Sequence, residues 1–142
     1  MSRPPHPKAP GVPLGVSEHL ISALVHAFYA RVRADDVLGP IFERHITDWN
    51  QHLEKLCDFW SSVVLMTGNY KGRPIPVHAA ITGITEYHFE RWLKLFADTA
   101  RLECPPEVAQ LFIDRSERIA ASLRAGMGIQ HDLTNTTRPL FT

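Results

Sequence analysis

The chain is poor in cysteine, with Cys57 and Cys104 alone in 142 residues and no CxxC pair. Two free thiols in a reducing compartment are the expectation. A charge imbalance is also missing: fifteen basic residues meet fifteen acidic ones, and the formal net charge is zero with histidine neutral. This excludes the basic footprint of a nucleic-acid binder and a polybasic membrane patch. No apolar run in the sequence approaches the ~18–20 residues a bilayer span requires. Met1 to Gly15 contains no apolar h-region, so no secretory signal is expected and a cytoplasmic location is. HExxH, GxSxG and Gly-rich phosphate loops are absent, which argues against nucleophilic hydrolysis.

Other features are abundant. Hydrophobic residues make up 44% of the chain, enough for one domain with a sizeable core. There are eight histidines, which raises the prospect of a metal or cofactor site without locating it. Five of the eleven prolines fall in MSRPPHPKAPGVPLG, so residues 1–15 are expected to be a disordered or polyproline-like tail. Periodicity fades after Gly126, making residues 127–142 a second tail and 16–126 the folded domain.

That domain reads as all-α. Ser17 is a good N-cap for a helix bearing Ile21, Leu24, Val25, Phe28 and Val32 at helical spacing. Gly39-Pro40 interrupts the pattern, with room for a short helical turn between Val37 and Phe42. Thr47 or Asp48 caps a long helix with Leu53, Leu56, Cys57, Trp60, Val63 and Val64 on its apolar face. A loop and a short segment around Val77 to Ile81 follow. Thr85 then caps a helix carrying Phe89, Trp92, Leu93 and Phe96. Cys104-Pro105-Pro106 separates it from a last helix bearing Val108, Leu111, Phe112, Ile119 and Leu123.

Four residues stand out chemically. His78 follows Pro74 and Pro76, which stiffen the approach to it, as a ligand that must be aimed requires; the plain alternative is a surface histidine. His52 shares a helix face with Leu56 and Trp60 and is otherwise a boundary histidine. Tyr29 is either a core tyrosine bonded to a carbonyl or a phenol presented to a ligand. Trp92, on the apolar face of FERWLKLF, carries a donor-only N–H that needs an acceptor, or it is plain core packing.

Taken together, FYARVRADDVLGPIF, HLEKLCDFW, NYKGRPIPVH and FERWLKLF resemble the group III truncated haemoglobins. The resemblance spans roughly residues 16–125, and the Gly-Gly loop pairs of the other truncated groups are missing. It implies a two-over-two helical sandwich around haem b, with His78 as the proximal iron ligand. It implies Tyr29 and Trp92 as distal donors to a bound gas, and His52 as a distal residue that contacts ligand or gates access. Phe28, Phe42, Leu56 and Trp60 would line the haem pocket, and Lys55 would lie near a propionate unless it is simply exposed. The segment ERHITDWNQ is short, so the corner before the long helix is compressed.

The function implied is tight binding of dioxygen, with nitric oxide and carbon monoxide as other diatomic ligands, and slow release. An alternative is an enzyme, a nitric oxide dioxygenase or peroxidase fed by a separate reductase. The third is a haem-free helical interaction module.

Overall fold

The computed structural model describes residues 3–72 and 83–126. Among these residues every regular element is a helix. They are α1 (Glu18–Ala34), α2 (Leu38–His45), α3 (Trp49–Val64), α4 (Glu86–Glu103) and α5 (Pro106–Gly126).

Local chemistry sets most of the boundaries. The Ser17 hydroxyl accepts from the Leu20 N–H at 3.1 Å and starts α1. Asp48, rather than Thr47, starts α3 by accepting from the Gln51 N–H at 3.1 Å. At the head of α4 the Thr85 N–H donates to His88 Nδ1 at 2.9 Å, a capping interaction that histidine makes in place of the usual Glu or Gln. Pro106 opens α5, where its missing N–H leaves no bond unmade.

The Gly39-Pro40 pair does not end a helix but lies in the first turn of α2. The first N–H groups of a helix have no intrahelical acceptor, so proline loses nothing there. Gly39 is required for a different reason: a Cβ would sit 2.7 Å from the carbonyl oxygen of Arg33. The α1–α2 corner therefore closes tightly, and Asp35 secures it by accepting from the N–H groups of Val37 and Leu38 at 3.1 and 2.9 Å.

Helix α1 packs against α2, α3 and α4, and α4 packs lengthwise on α5. The result is two helix pairs, α1/α3 and α4/α5, joined through α1 and α4. The main core centres on Phe28, Phe96 and Phe112 with Ile21, Leu24 and Val64. Burying each of these side chains is worth about 1.5–3 kcal/mol. A smaller cluster, Phe89 and Ala120 with Leu93 and Leu123, joins the far ends of α4 and α5.

The N-terminal segment differs from the unpacked tail its prolines suggest. Residues 3–15 form successive turns against the C-terminal end of α3. The His6 N–H donates to Leu65 O at 2.9 Å and the Gly11 N–H to Val64 O at 2.8 Å. Helix ends leave carbonyls without intrahelical donors, and this segment supplies them. Ala9 is buried, and a Cβ on Gly11 would meet Val64 O at 2.8 Å. The expected C-terminal tail, residues 127–142, lies outside the described residues.

Candidate functional site

Aromatic side chains from α1, α3 and α4 build the site from behind. Trp60 stacks on Phe96 with ring centroids 5.2 Å apart and planes 10° from parallel. Phe96 stacks on Trp92 at 5.5 Å and 7°. Phe28 meets both Phe96 and Trp92 edge-on, at 5.0 and 5.3 Å. Such stacked and edge-to-face contacts are worth about 0.5–1.5 kcal/mol each beyond burial. Trp92 is thus held in one orientation by a column whose lower members are fully inside the core.

Tyr29 lies at the centre of a second group. Its ring is 5.9 Å from Phe42, 5.8 Å from His52 and 6.3 Å from Trp49. Tyr29 is 5% exposed, and burial pushes its phenol well above the ordinary range; a hydrogen bond with Trp92 opposes this in part. An indole can only donate, so the Trp92 N–H points to the Tyr29 oxygen. The phenol therefore stays protonated and keeps its own O–H free to donate elsewhere. These two residues, 63 positions apart along the chain, form the polar tip of an otherwise apolar wall.

An ion pair fixes α4 relative to the α1–α2 corner. Arg91 Nε and Nη2 donate to the two carboxylate oxygens of Asp35, each at 2.8 Å. Fork-to-fork pairing fixes direction as well as distance. The guanidinium holds the Asp35 carboxyl down to about 2, helped by the Leu38 and Val37 N–H groups. Because Arg91 precedes Trp92, this pairing also locates the start of the aromatic column.

The structure brings Tyr29, Phe42, His52 and Trp92 into one cluster. Phe28 and Trp60 are buried behind it and support Trp92. Leu56 is half-buried at the rim of the core, and Lys55 is exposed. His78 lies outside the described residues. Cys104 is buried at the end of α4 and its thiol is pushed up to about 11 by burial, while the half-buried Cys57 is also raised, first by burial. Neither cysteine is a nucleophile in this state.

Two participants were not foreseen. Trp49 joins the Tyr29 group, and its signal was available: it precedes His52 by three residues, which puts both on one face of α3. The Asp35–Arg91 pair had no local signal, since its members are 56 residues apart.

The residues present fit a haem. Phe42, Leu53, Leu56 and Leu93 are apolar yet only half-buried, and they lie on three different helices. Helices α3 and α4 touch through Trp60 and Phe96 rather than packing along their length. A broad planar group needs such partly covered apolar walls with a few aimed donors. The Tyr29 hydroxyl and the buried Trp49 N–H are donors beside those walls.

Comparison with known proteins agrees. The model of the bacterial-like globin family matches residues 13–120. The group 3 truncated hemoglobin ctb of Campylobacter jejuni is 32% identical over 110 residues, covering 75% of this chain and 87% of that protein. The crystal structure of the group III truncated hemoglobin from Campylobacter jejuni superposes with a TM-score of 0.75 at 31% identity, covering 79% of this chain and 91% of that one. The group II truncated hemoglobin from Bacillus anthracis shares the fold, with a TM-score of 0.69 at 22% identity over 83% of this chain and 92% of that one. The chain belongs to the bacterial-like globins, and among them to the group III truncated haemoglobins.

Proposed function

We propose that this globin carries haem b, ligated through His78, and holds dioxygen tightly with slow release. Haem supplies an iron that takes one histidine nitrogen and leaves a position open for a diatomic gas. The buried Tyr29, hydrogen-bonded with the half-buried Trp92, carries the reading.

The chain's own residues act as follows. The Tyr29 O–H is a donor at every physiological pH, as any phenol is, and burial extends that range upward. The Trp92 N–H donates to the Tyr29 oxygen, which polarises the phenol and strengthens its own donation. The Trp60–Phe96–Trp92 column and the Asp35–Arg91 pair hold Trp92 still, so the donors need no reorganisation when ligand arrives. When haem is bound, a fixed donor in this site would stabilise partial negative charge on a diatomic ligand held there. Carbon monoxide gains less from the same donors. His52, edge-on to Tyr29, closes the pocket on the α3 side and controls access. Phe42 and Leu56, half-buried, would line the porphyrin, and Lys55, exposed on α3, would pair with a propionate.

Absorption spectra of the haem-loaded protein in ferric, ferrous and carbon-monoxide forms test the reading. The ferrous form should be high-spin and shift sharply on carbon monoxide, and His78→Ala should lose stable haem. Failure to develop a Soret band after haem addition, or a His78→Ala protein with an unchanged spectrum, would overturn it.

A further inference from the structure

We infer that Trp49 is a second hydrogen-bond donor to the gas ligand, acting beside the Tyr29 hydroxyl as a specificity-determining residue. The inference rests on the distal reading given above. The first observation is an orphaned donor. Trp49 Nε1 is buried from solvent and has no acceptor among the described residues. A buried, unsatisfied N–H costs about 1–3 kcal/mol, so such a group is retained where something accepts from it.

The second observation is where the ring sits. Its centroid is 6.3 Å from Tyr29, 5.7 Å from His52 and 6.5 Å from Phe42. It therefore joins the aromatic group around the Tyr29 ring. Among the described residues, these neighbours leave the indole no carbonyl or carboxylate to serve.

The third observation is how the ring is held. Arg33 lies over its face at 4.4 Å, and Phe42 is near parallel to it at 25°. The same Arg33 pairs with Glu43 of α2 at 3.1 Å. The indole is thus clamped between α1 and α2 at the first turn of α3. A cation over the π face also draws electron density from the ring and makes the N–H a better donor. Nothing in the fold's core requires a tryptophan here, since the ring lies at the rim of the main cluster.

The test is the C–O stretching frequency of the ferrous carbon-monoxide complex, together with the dioxygen dissociation rate. Trp49→Phe keeps an aromatic ring under Arg33 and removes the N–H. The frequency should rise, and dissociation should speed by about 5-fold or more, the equivalent of about 1 kcal/mol. Trp49→Met, a flexible apolar filler, serves if the first variant does not fold and should give the same direction. An unchanged C–O frequency overturns the inference. That includes the case in which only the rate of haem loss changes, which would place the acceptor on a haem carboxylate. Tyr29→Phe is measured alongside. If Tyr29→Phe shifts the frequency and Trp49→Phe does not, only the Trp49 assignment fails; if neither shifts it, the distal reading fails as a whole.

Discussion

Replacing Tyr29 and Trp92 singly and together should show that they act as one unit. Tyr29→Phe keeps the ring against Phe28 at 4.7 Å, Phe42 at 5.9 Å and His52 at 5.8 Å, and removes only the hydroxyl. One hydrogen bond to a partly charged ligand atom is worth about 1–3 kcal/mol, so dioxygen dissociation should speed by about 5- to 150-fold. Trp92→Phe removes the N–H that polarises Tyr29 and should give a smaller increase in the same direction. In the double variant Trp92→Phe should add little, because its N–H works through an oxygen already gone. The coupling should fall at about 0.5–3 kcal/mol, the range for residues in one network. Stopped-flow displacement of dioxygen by carbon monoxide gives the four rates. Effects that add to within about 0.3–0.5 kcal/mol would refute the relay and leave two independent donors. Unchanged rates in both single variants would remove the pair from the ligand altogether. The same assay has a pH arm: the wild-type rate should stay flat up to and beyond pH 10, where an ordinary phenol ionises, because Tyr29 is raised above its usual value of 10.0.

Three further outcomes are expected. Asp35 is held at about 2 against an ordinary 3.8, so its stabilising effect is full above the unfolded value and is lost as pH falls through about 2. The gap in thermal midpoint between wild type and Asp35→Asn should therefore shrink from pH 4 toward pH 2, and a gap independent of pH would refute a charge-based role. Phe96→Ala removes a fully buried ring that touches Phe28, Trp60 and Trp92 and should cost about 3–5 kcal/mol in denaturant unfolding. It should also speed dioxygen release, since Trp92 loses its stacking support; a stability loss with an unchanged rate would show that Trp92 is positioned by other contacts. Gly11→Ala forces a Cβ against Val64 O and should destabilise the chain by about 1–3 kcal/mol, whereas an unchanged urea midpoint would mean that residues 3–15 do not dock in solution.

Much of this molecule was legible from residue order. Apolar spacing on FYARVRADD, HLEKLCDFW and FERWLKLF announced the helices, because a helix buries one stripe and the stripe repeats at 3 and 4. Caps at Ser17 and Thr85, and one at Thr47 or Asp48, were readable because capping is a local contact between side chain and backbone three residues away. Tyr29, His52 and Trp92 could be named from the family pattern they share.

Other features depended on segments distant in the chain meeting. That Trp92 rests on Phe96 and Trp60, and donates to Tyr29, depends on how α1, α3 and α4 cross. The Asp35–Arg91 fork spans the chain from the α1–α2 corner to α4, and neither residue signals the other. The docking of residues 3–15 hinged on the free carbonyls of Val64 and Leu65, which exist only once α3 has formed. Sequence alone determined the helices, because they follow from short-range periodicity and local caps, while Tyr29, His52 and Trp92 were named only through the family resemblance. Tertiary structure alone decided which donor faces which acceptor, because hydrogen bonds and ring contacts act over a few ångströms and are set by packing.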